Sequence, residues 1–291
     1  MKSNLFLVTL LCACVPALAA PLTESTFTEI VKEVNVVAAA TKAAQPGAVN
    51  QVVKAPDLVR TGPASRAELT APDQTITRVG ANTVFSFEPV GRDINLEKGS
   101  VLFHSPAGKG GGSIRSGGAA AAVLGTTLIV SSTGTGGFKV ILLEGKGTVT
   151  LPNGKSTTLK AGQLVFVLPG QTDFGPVLDI NLKKLVDGSQ LVNGFSHPLP
   201  SLPLIRTSVN KQYDEIAKGH MEDTGMPPET FGKKSLRRGQ SANGVNTLDN
   251  TSYQAALSPS VPPNQVGLLQ QGELPAGFLP GSRGIVVISP K

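Results

Sequence analysis

The sequence predicts an all-β protein, a β-sandwich or β-roll of many short strands, with a short β-solenoid as the alternative. Over residues 57–170, short runs of β-branched and aromatic residues are separated by turn residues at close intervals. Two of these runs, 140–143 and 164–168, are apolar at every position, which indicates strands buried on both faces. Pro152-Asn153-Gly154 indicates a hairpin, because Asn-Gly accepts positive φ at little cost.

The predicted strands of this β region follow from the apolar and β-branched runs in the order of the chain. A glycine-rich stretch at 106–118 interrupts them, and we expect it to be a loop that is too flexible to form a strand. Gly125, inside one run, predicts a bulge or a close backbone approach. The runs are 76–79, 83–87, 101–104, 121–130, 138–143, 148–151 and 164–168.

The segments on either side of the β region have weaker patterns. Residues 22–44 fit both a helix, by the spacing of their apolar side chains, and a strand, by their β-branched content. Residues 179–191 predict a short helix with Leu182, Leu185 and Val186 on one side, and 208–220 predict another. Between them, 197–203 is rich in proline and is expected to be extended.

Five segments describe the predicted organisation of the chain. The last of them mixes Gly, Asn, Ser, Gln and Pro with scattered leucines, so it lacks the apolar density to offset the entropy of ordering. We expect a signal peptide at 1–19, an N-terminal segment at 20–56, a β domain at 57–170, an irregular region with short helices at 171–235, and a low-complexity, disordered tail at 236–291.

The first residues have the order of features that defines a secretion signal. Lys2 is followed by an apolar run at 5–11 and by the small-x-small cleavage pattern Ala17-Leu18-Ala19. The apolar run is shorter than the roughly 20 residues that span a bilayer, so we expect no transmembrane helix in the mature chain. The predicted location is periplasmic or secreted, with a lipoprotein anchored through Cys14 as the alternative.

The composition limits the chemistry of the mature protein. Both cysteines, Cys12 and Cys14, lie inside the predicted signal, which leaves no disulfide, thiol nucleophile or cysteine metal site. The net charge of +6 is a mild excess for 291 residues and does not predict nucleic-acid binding. Such a surface favours anionic partners only through screened attraction.

No grouping of residues predicts catalysis, so we expect a protein that is not an enzyme and needs no metal or cofactor. The three histidines, His104, His197 and His220, do not stand at zinc-motif spacing. His104 is expected to make a hydrogen bond in a turn at a strand end. Arg66 and Glu68 lie two apart on a predicted strand and are therefore expected to share a solvent-exposed face.

Basic residues provide the candidate contacts with a partner. Lys109 and Arg115 lie in the glycine-rich stretch, whose backbone amides could help to hold an anion. A second basic cluster follows the predicted helices. It has no interleaved aromatic residues of the kind that stack on bases, and a solvated face is its simpler interpretation. This cluster consists of Lys233, Lys234, Arg237 and Arg238.

The β region resembles the FecR domain in the order and spacing of its motifs. Residues 57–69 (DLVRTGPASRAEL) resemble the opening of that domain, and 122–130 (AVLGTTLIV) resemble its core strand. Residues 143–145 (LEG) and 159–163 (LKAGQ) are similar to the strand pair and the closing turn that follow. The resemblance covers about two fifths of the chain.

The FecR resemblance implies a β-rich, extracytoplasmic domain with no known catalytic centre and no agreed site residues. Its best-known members are iron-transport regulators, in which an anti-sigma segment and a membrane helix precede this domain. Here we expect a signal peptide in place of those two parts, so the anti-sigma role is not carried over. The expected function is a binding or signalling-type module for an envelope protein or polysaccharide. A structural or surface protein that self-associates or binds envelope polysaccharide is the alternative.

Overall fold

The computed structural model describes residues 20–223 and 236–238, and its first half is built entirely of strands. The predicted signal peptide and most of the predicted tail therefore lie outside the described residues. The strands up to the centre of the chain are β1 (Glu24–Val31), β2 (Val34–Val37), β3 (Ala44–Pro46), β4 (Val52–Lys54), β5 (Leu58–Thr61), β6 (Arg66–Thr70), β7 (Ile76–Val79), β8 (Val84–Phe87) and β9 (Asp93–Ser105).

The second half of the described chain adds eight more strands of the two main sheets, three helices and a short terminal ribbon. These elements are β10 (Gly112–Ser116), β11 (Ala119–Val123), β12 (Thr126–Ser132), β13 (Phe138–Glu144), β14 (Lys146–Thr150), β15 (Ser156–Lys160), β16 (Gln163–Val167), β17 (Leu178–Asp179), α1 (Leu182–Gly188), α2 (Gln190–Asn193), α3 (Leu202–Ala217), β18 (Met221–Asp223) and β19 (Leu236–Arg238).

Two sheets share one strand, β9. Sheet A has the order β4-β1-β6-β7-β9-β12-β13-β16-β17, and sheet B has the order β3-β2-β5-β8-β9-β10-β11-β14-β15. Among these pairings only β9 with β10 is parallel. The first half of β9 pairs in sheet B and the second half in sheet A, so this strand joins the two layers.

The main core lies between the sheets, because alternate residues of each strand point inward. In β13, Phe138, Val140 and Leu142 belong to this core. Phe85 and Phe87 of sheet B are fully buried in it, with ring centroids 5.4 Å apart in an edge-to-face arrangement. The predicted all-β class is confirmed.

A second core covers the outer face of sheet A. Ile129 and Ile141 point away from the main core and pack instead against the three helices. Leu185 of α1 and Ile205 of α3 are among the helical side chains buried there. The residues 140–143 of β13 and 164–167 of β16 are therefore apolar on both faces, which is the physical reason for these two uninterrupted apolar runs.

The predicted loop at 106–118 was wrong in its second half. Residues 112–116 form β10, whose Ile114 is buried, while 106–111 and the turn at 117–118 form connections as predicted. Gly112 begins this strand in close contact with the Phe103 ring. A Cβ at this position would stand 2.6 Å from the ring, so the strand can lie here only because residue 112 has no side chain. Gly125 does make the predicted close approach: it separates β11 from β12, and a Cβ there would stand 3.1 Å from Ala107 Cα.

Residues 22–44, for which the sequence allowed a helix or a strand, contain β1 and β2 and begin β3. β1 pairs with β6, and β2 pairs with β5, so these residues belong to the same two sheets as the strands after residue 57. The predicted domain boundaries themselves stay predictions.

The helical predictions were confirmed in type and corrected in extent. Leu182, Leu185 and Val186 are buried on one side of α1, as their spacing predicted. The helix expected over 208–220 begins earlier, at Leu202, and ends at Ala217. Pro203 does not prevent this, since proline is tolerated in the first turn, where its missing N–H is not needed.

Candidate functional site

The two outer faces of the sandwich differ in what covers them. The outer face of sheet A is buried under α1, α2 and α3 across β7, β9, β12, β13, β16 and β17. The outer face of sheet B has no such layer in the part of the chain that the structure describes, and its central and C-terminal strands carry exposed polar side chains. Sheet B is therefore the surface that is open to a partner.

A buried arginine fastens the helical layer to sheet A. The Arg78 side chain is fully buried in β7, and its Nε donates to Glu68 Oε2 at 2.7 Å. Its terminal nitrogens donate to the carbonyl oxygens of Val192, at 2.7 Å, and His197, at 2.5 Å. The guanidinium carbon also lies 4.4 Å from the centroid of the Phe195 ring, within cation–π range.

Glu68 corrects the prediction that Arg66 and Glu68 share a solvent-exposed face. Glu68 is only 6% exposed. Its other carboxylate oxygen, Oε1, accepts a hydrogen bond from Thr28 Oγ1 at 2.8 Å. Arg66 is half-buried and donates through Nε to the carbonyl of Gly194. The two do share a face, but the α2 region covers it. The sequence offered one signal, a charged Arg78 inside a short run of β-branched residues.

A second buried polar cluster lies beneath the start of α3. The hydroxyl of Thr127 donates to Glu144 Oε1 at 2.9 Å and lies 2.9 Å from His104 Nδ1 and 2.8 Å from Ser201 Oγ. One hydroxyl has one hydrogen and two lone pairs, so His104 and Ser201 act as donors to Thr127. His104 thus bonds across strands, from β9 to β12, and not in a turn as predicted.

Burial shifts both ionisable groups of this cluster toward their neutral forms. It lowers the pKa of His104, and it raises the pKa of the Glu144 carboxyl against the opposing effect of the Thr127 hydrogen bond. Both side chains are almost completely inaccessible, at 6% and 5% exposure. The cluster therefore holds α3 against sheet A and offers no surface to a substrate.

The open face of sheet B is built from small hydroxyl and methyl side chains bordered by lysines. Because strand residues alternate, every second residue of β11, β14 and β15 points outward. The register aligns these residues in rows across the strands, such as Ala122–Thr148–Thr158. We call this surface the threonine face; it consists of Ala120, Ala122, Lys146, Thr148, Thr150, Ser156, Thr158 and Lys160.

The structure places Arg115, a predicted contact residue, beside the threonine face. Arg115 stands next to Ala120 in the register of β10 and β11. Its Nε donates to Asp93 Oδ2 at 2.7 Å, and Ser113 Oγ donates to Asp93 Oδ1 at 2.5 Å. The arginine is half-exposed, so the ion pair lies at the surface and leaves donors available to a partner.

The other predicted contact residues do not join Arg115. Lys109 lies in the exposed connection between β9 and β10, where its backbone amide donates to the carbonyl of Pro106. Arg237 and Arg238 belong to β19, which pairs with β18 after α3 and not with sheet B. Lys233 and Lys234 lie outside the described residues. Their role in binding stays a prediction.

The described residues contain no group of three or more His, Cys, Asp or Glu side chains arranged to hold a metal ion. A pocket is lined by apolar, amide and hydroxyl residues, including Phe138, Pro152 and Gln171. No helix within the described ranges is both long and apolar enough to cross a membrane.

Comparison with known families identifies the central part of the sandwich. Residues 57–147 match the family model described as FecR protein. The chain carries a FecR domain. The match begins just before β5 and ends within β14, so the strands that complete both sheets lie on either side of the FecR domain.

Solved structures similar to this chain include two crystal structures of proteins from Parabacteroides distasonis that are provisionally assigned as anti-sigma factors. One matches with 19% identity and a TM-score of 0.39, over 44% of this chain and 61% of the other. The second matches with 19% identity and a TM-score of 0.41, over 47% of this chain and 64% of the other. The chain thus spans less than two thirds of the chain in either structure. A comparison with curated proteins gives no match.

Proposed function

We propose that this chain is a non-catalytic, exported binding module that contacts a protein partner in the cell envelope through the threonine face. The FecR domain at 57–147 supports a signalling-related role, since FecR relatives are regulatory and not catalytic. The observation that carries the proposal is the asymmetry of the sandwich. One outer face is covered by the chain's own helices, and the other presents exposed polar side chains.

The threonine face has the properties of a surface for reversible contact. Its hydroxyl groups, such as those of Thr148 and Thr158, both donate and accept hydrogen bonds. Small side chains lose little conformational entropy when a partner covers them. Arg115 at the border adds donors that suit a carboxylate.

The proposed location follows from the secretion signal predicted at 1–19. Export would bring the FecR domain to the envelope without a membrane helix, in either the periplasm or the medium. Mass measurement of the protein recovered from the periplasm tests this part. Loss of the first 19 residues supports export, and a full-length chain found in the cytosol contradicts it.

Site-specific photo-crosslinking in intact cells tests the proposed binding surface. A photoreactive amino acid at Thr148 reports on the threonine face, and one at Arg206, exposed on α3, serves as the matched control. We expect a discrete protein adduct from position 148 and none from position 206, with the partner identified by mass spectrometry. Absence of any adduct at 148, or an equal adduct at 206, contradicts the proposal.

The same experiment distinguishes the proposed function from the alternative, a structural or surface protein. Crosslinks from 148 to a second copy of this chain, or to polysaccharide, favour a structural or surface protein over a regulatory one. Turnover of a substrate by the purified protein, abolished by a single polar substitution, would refute both.

A further inference from the structure

Strand β15 forms one edge of sheet B and, among the described residues, is paired with a neighbouring strand on one side only. All five of its residues, Ser156 to Lys160, pair with β14. In the described part of the chain, the backbone of 156–159 has no hydrogen-bond partner on its other side. An unpaired strand edge is a ready template for the backbone of another extended segment.

The other edges of the two main sheets are less suited to such pairing. β3 is three residues long and ends at Pro46, which has no N–H to donate. β4 has three residues and β17 has two. β15 is longer, contains no proline, and keeps an unbroken register with β14. Among the strands of the two main sheets in the described residues, β15 is therefore the one substantial open edge, and it lies at the side of the threonine face.

Like charges stand directly opposite each other at this edge. Lys146 of β14 and Lys160 of β15 are cross-strand partners, and both are exposed. Such a pair is destabilising on its own. Neither lysine forms an ion pair with a carboxylate of the described residues, whereas Lys155, before β15, is paired with Asp173 at 2.6 Å. The edge thus combines free backbone groups with uncompensated positive charge.

The positive charge of Lys146 and Lys160 determines which kind of segment can pair with β15. A second copy would bring its own Lys146 and Lys160 to the contact and would be repelled. The chain's own apolar segment at 284–288 (GIVVI) contains no acid and is flanked by Arg283 and Lys291. An extended segment with carboxylates would both pair with the backbone of β15 and neutralise the charge of Lys146 and Lys160.

We propose that β15 binds an acidic, extended segment of a partner protein as an additional strand of sheet B, with a carboxylate of that segment beside Lys146 and Lys160. The inference rests on the proposed function, since it names the chemistry of the partner for the same surface. The backbone of β15 supplies affinity without sequence preference, and the two lysines supply the preference for acid.

Selection from a display library of random dodecapeptides against the full chain tests the inference. We expect enriched peptides to carry Asp or Glu among β-branched residues, and to slow amide hydrogen exchange within 156–160. Their affinity should fall as salt is raised. Lys146→Glu and Lys160→Glu should each weaken binding by about tenfold, while Lys98→Glu, an exposed lysine elsewhere in sheet B, should not.

Three outcomes would overturn the inference: no enriched peptide, enrichment without acidic residues, or protection of a surface other than β15. A dimer in solution that protects β15 would also overturn it, in favour of a second copy. The photo-crosslinking experiment at Thr148 is independent. A protein adduct there without acidic peptide binding would leave the proposed function standing and refute this inference alone.

Discussion

At the residue scale, two buried polar groups determine how the helical layer is attached to the sandwich. Arg78 contacts backbone carbonyls of the segment after α1, and Thr127 contacts Ser201 at the start of α3. Both attach residues of sheet A to a part of the chain more than 70 positions later. Neither could be predicted, because a periodic pattern gives the face of a residue but not what covers that face.

Removing the Arg78 side chain should destabilise the protein severely. Arg78→Ala leaves the Glu68 carboxylate buried without its partner and three carbonyl groups without a donor, and we expect a loss of about 3–5 kcal/mol in the free energy of unfolding. Urea denaturation measures it. Arg206→Ala, at an exposed position of α3, is the control and should change stability by less than about 0.5 kcal/mol. A loss below about 1 kcal/mol for Arg78→Ala would show that the cluster contributes little.

The buried His104 should make stability fall in mild acid. Burial lowers the pKa of His104, so as pH falls the unfolded chain binds a proton before the folded chain does. The free energy of unfolding therefore decreases as pH falls below about 6.5. Glu144 acts in the opposite sense. Because its pKa is raised, the folded chain binds a proton more readily than the unfolded chain, and the stabilisation that this provides is lost as pH rises above about 4.5.

Replacing His104 by glutamine isolates the first effect. His104→Gln keeps a donor for Thr127 but cannot take up a proton, so stability should fall less between about pH 7.5 and about pH 5 than in the parent protein. Denaturation curves at the two pH values give the difference. His197→Gln, whose side chain is exposed, should leave the parent pH dependence unchanged. An unaltered pH dependence in His104→Gln would contradict the assignment.

At the element scale, β9 joins the two sheets at Gly99. The strand pairs with β8 up to Lys98 and with β12 from Gly99 onward. Gly99 has φ of +95°, and a Cβ there would stand 2.4 Å from the Cα of Thr83. The point where β9 passes from sheet B to sheet A therefore requires glycine for two reasons: the positive φ, and the lack of space for a Cβ. The sequence shows only a glycine between two runs of β-forming residues and does not distinguish this position from an ordinary turn.

Two glycine substitutions separate conformation from space. Gly154, in the predicted hairpin turn, has φ of +82°, and a Cβ there would meet nothing within 4 Å, so Gly154→Ala should cost only about 1–2 kcal/mol. Gly99→Ala adds a clash with backbone and should cost more than about 3 kcal/mol. Equal losses in urea denaturation would contradict the structural role of Gly99.

At the scale of the whole molecule, three layers are stacked as sheet B, sheet A and helices. Where the helices cover it, sheet A is buried on both faces, and the helices contribute the second core. The match to the FecR family covers only the middle of this arrangement. The layer that closes sheet A, and with it the choice of sheet B as the open surface, comes from residues outside the matched range.

Adjacent residues of α3 test whether the helical layer contributes to global stability. Ile205 is fully buried against sheet A, while Leu204 is 57% exposed. Ile205→Ala should lower the free energy of unfolding by about 2–5 kcal/mol, and Leu204→Ala should change it by less than about 0.5 kcal/mol. If both variants unfold like the parent protein, the helices do not belong to the cooperative unit.

The sequence by itself determined the β class, the doubly buried strands and the Asn153-Gly154 hairpin, because strand alternation and turn chemistry are local properties. It also pointed to the FecR domain through the order of its motifs. Only the tertiary structure decided that 112–116 is a strand, that Glu68 is buried, and that β15 is an open edge. Those features depend on which elements meet in space, and local periodicity carries no information about contacts between residues far apart in the chain.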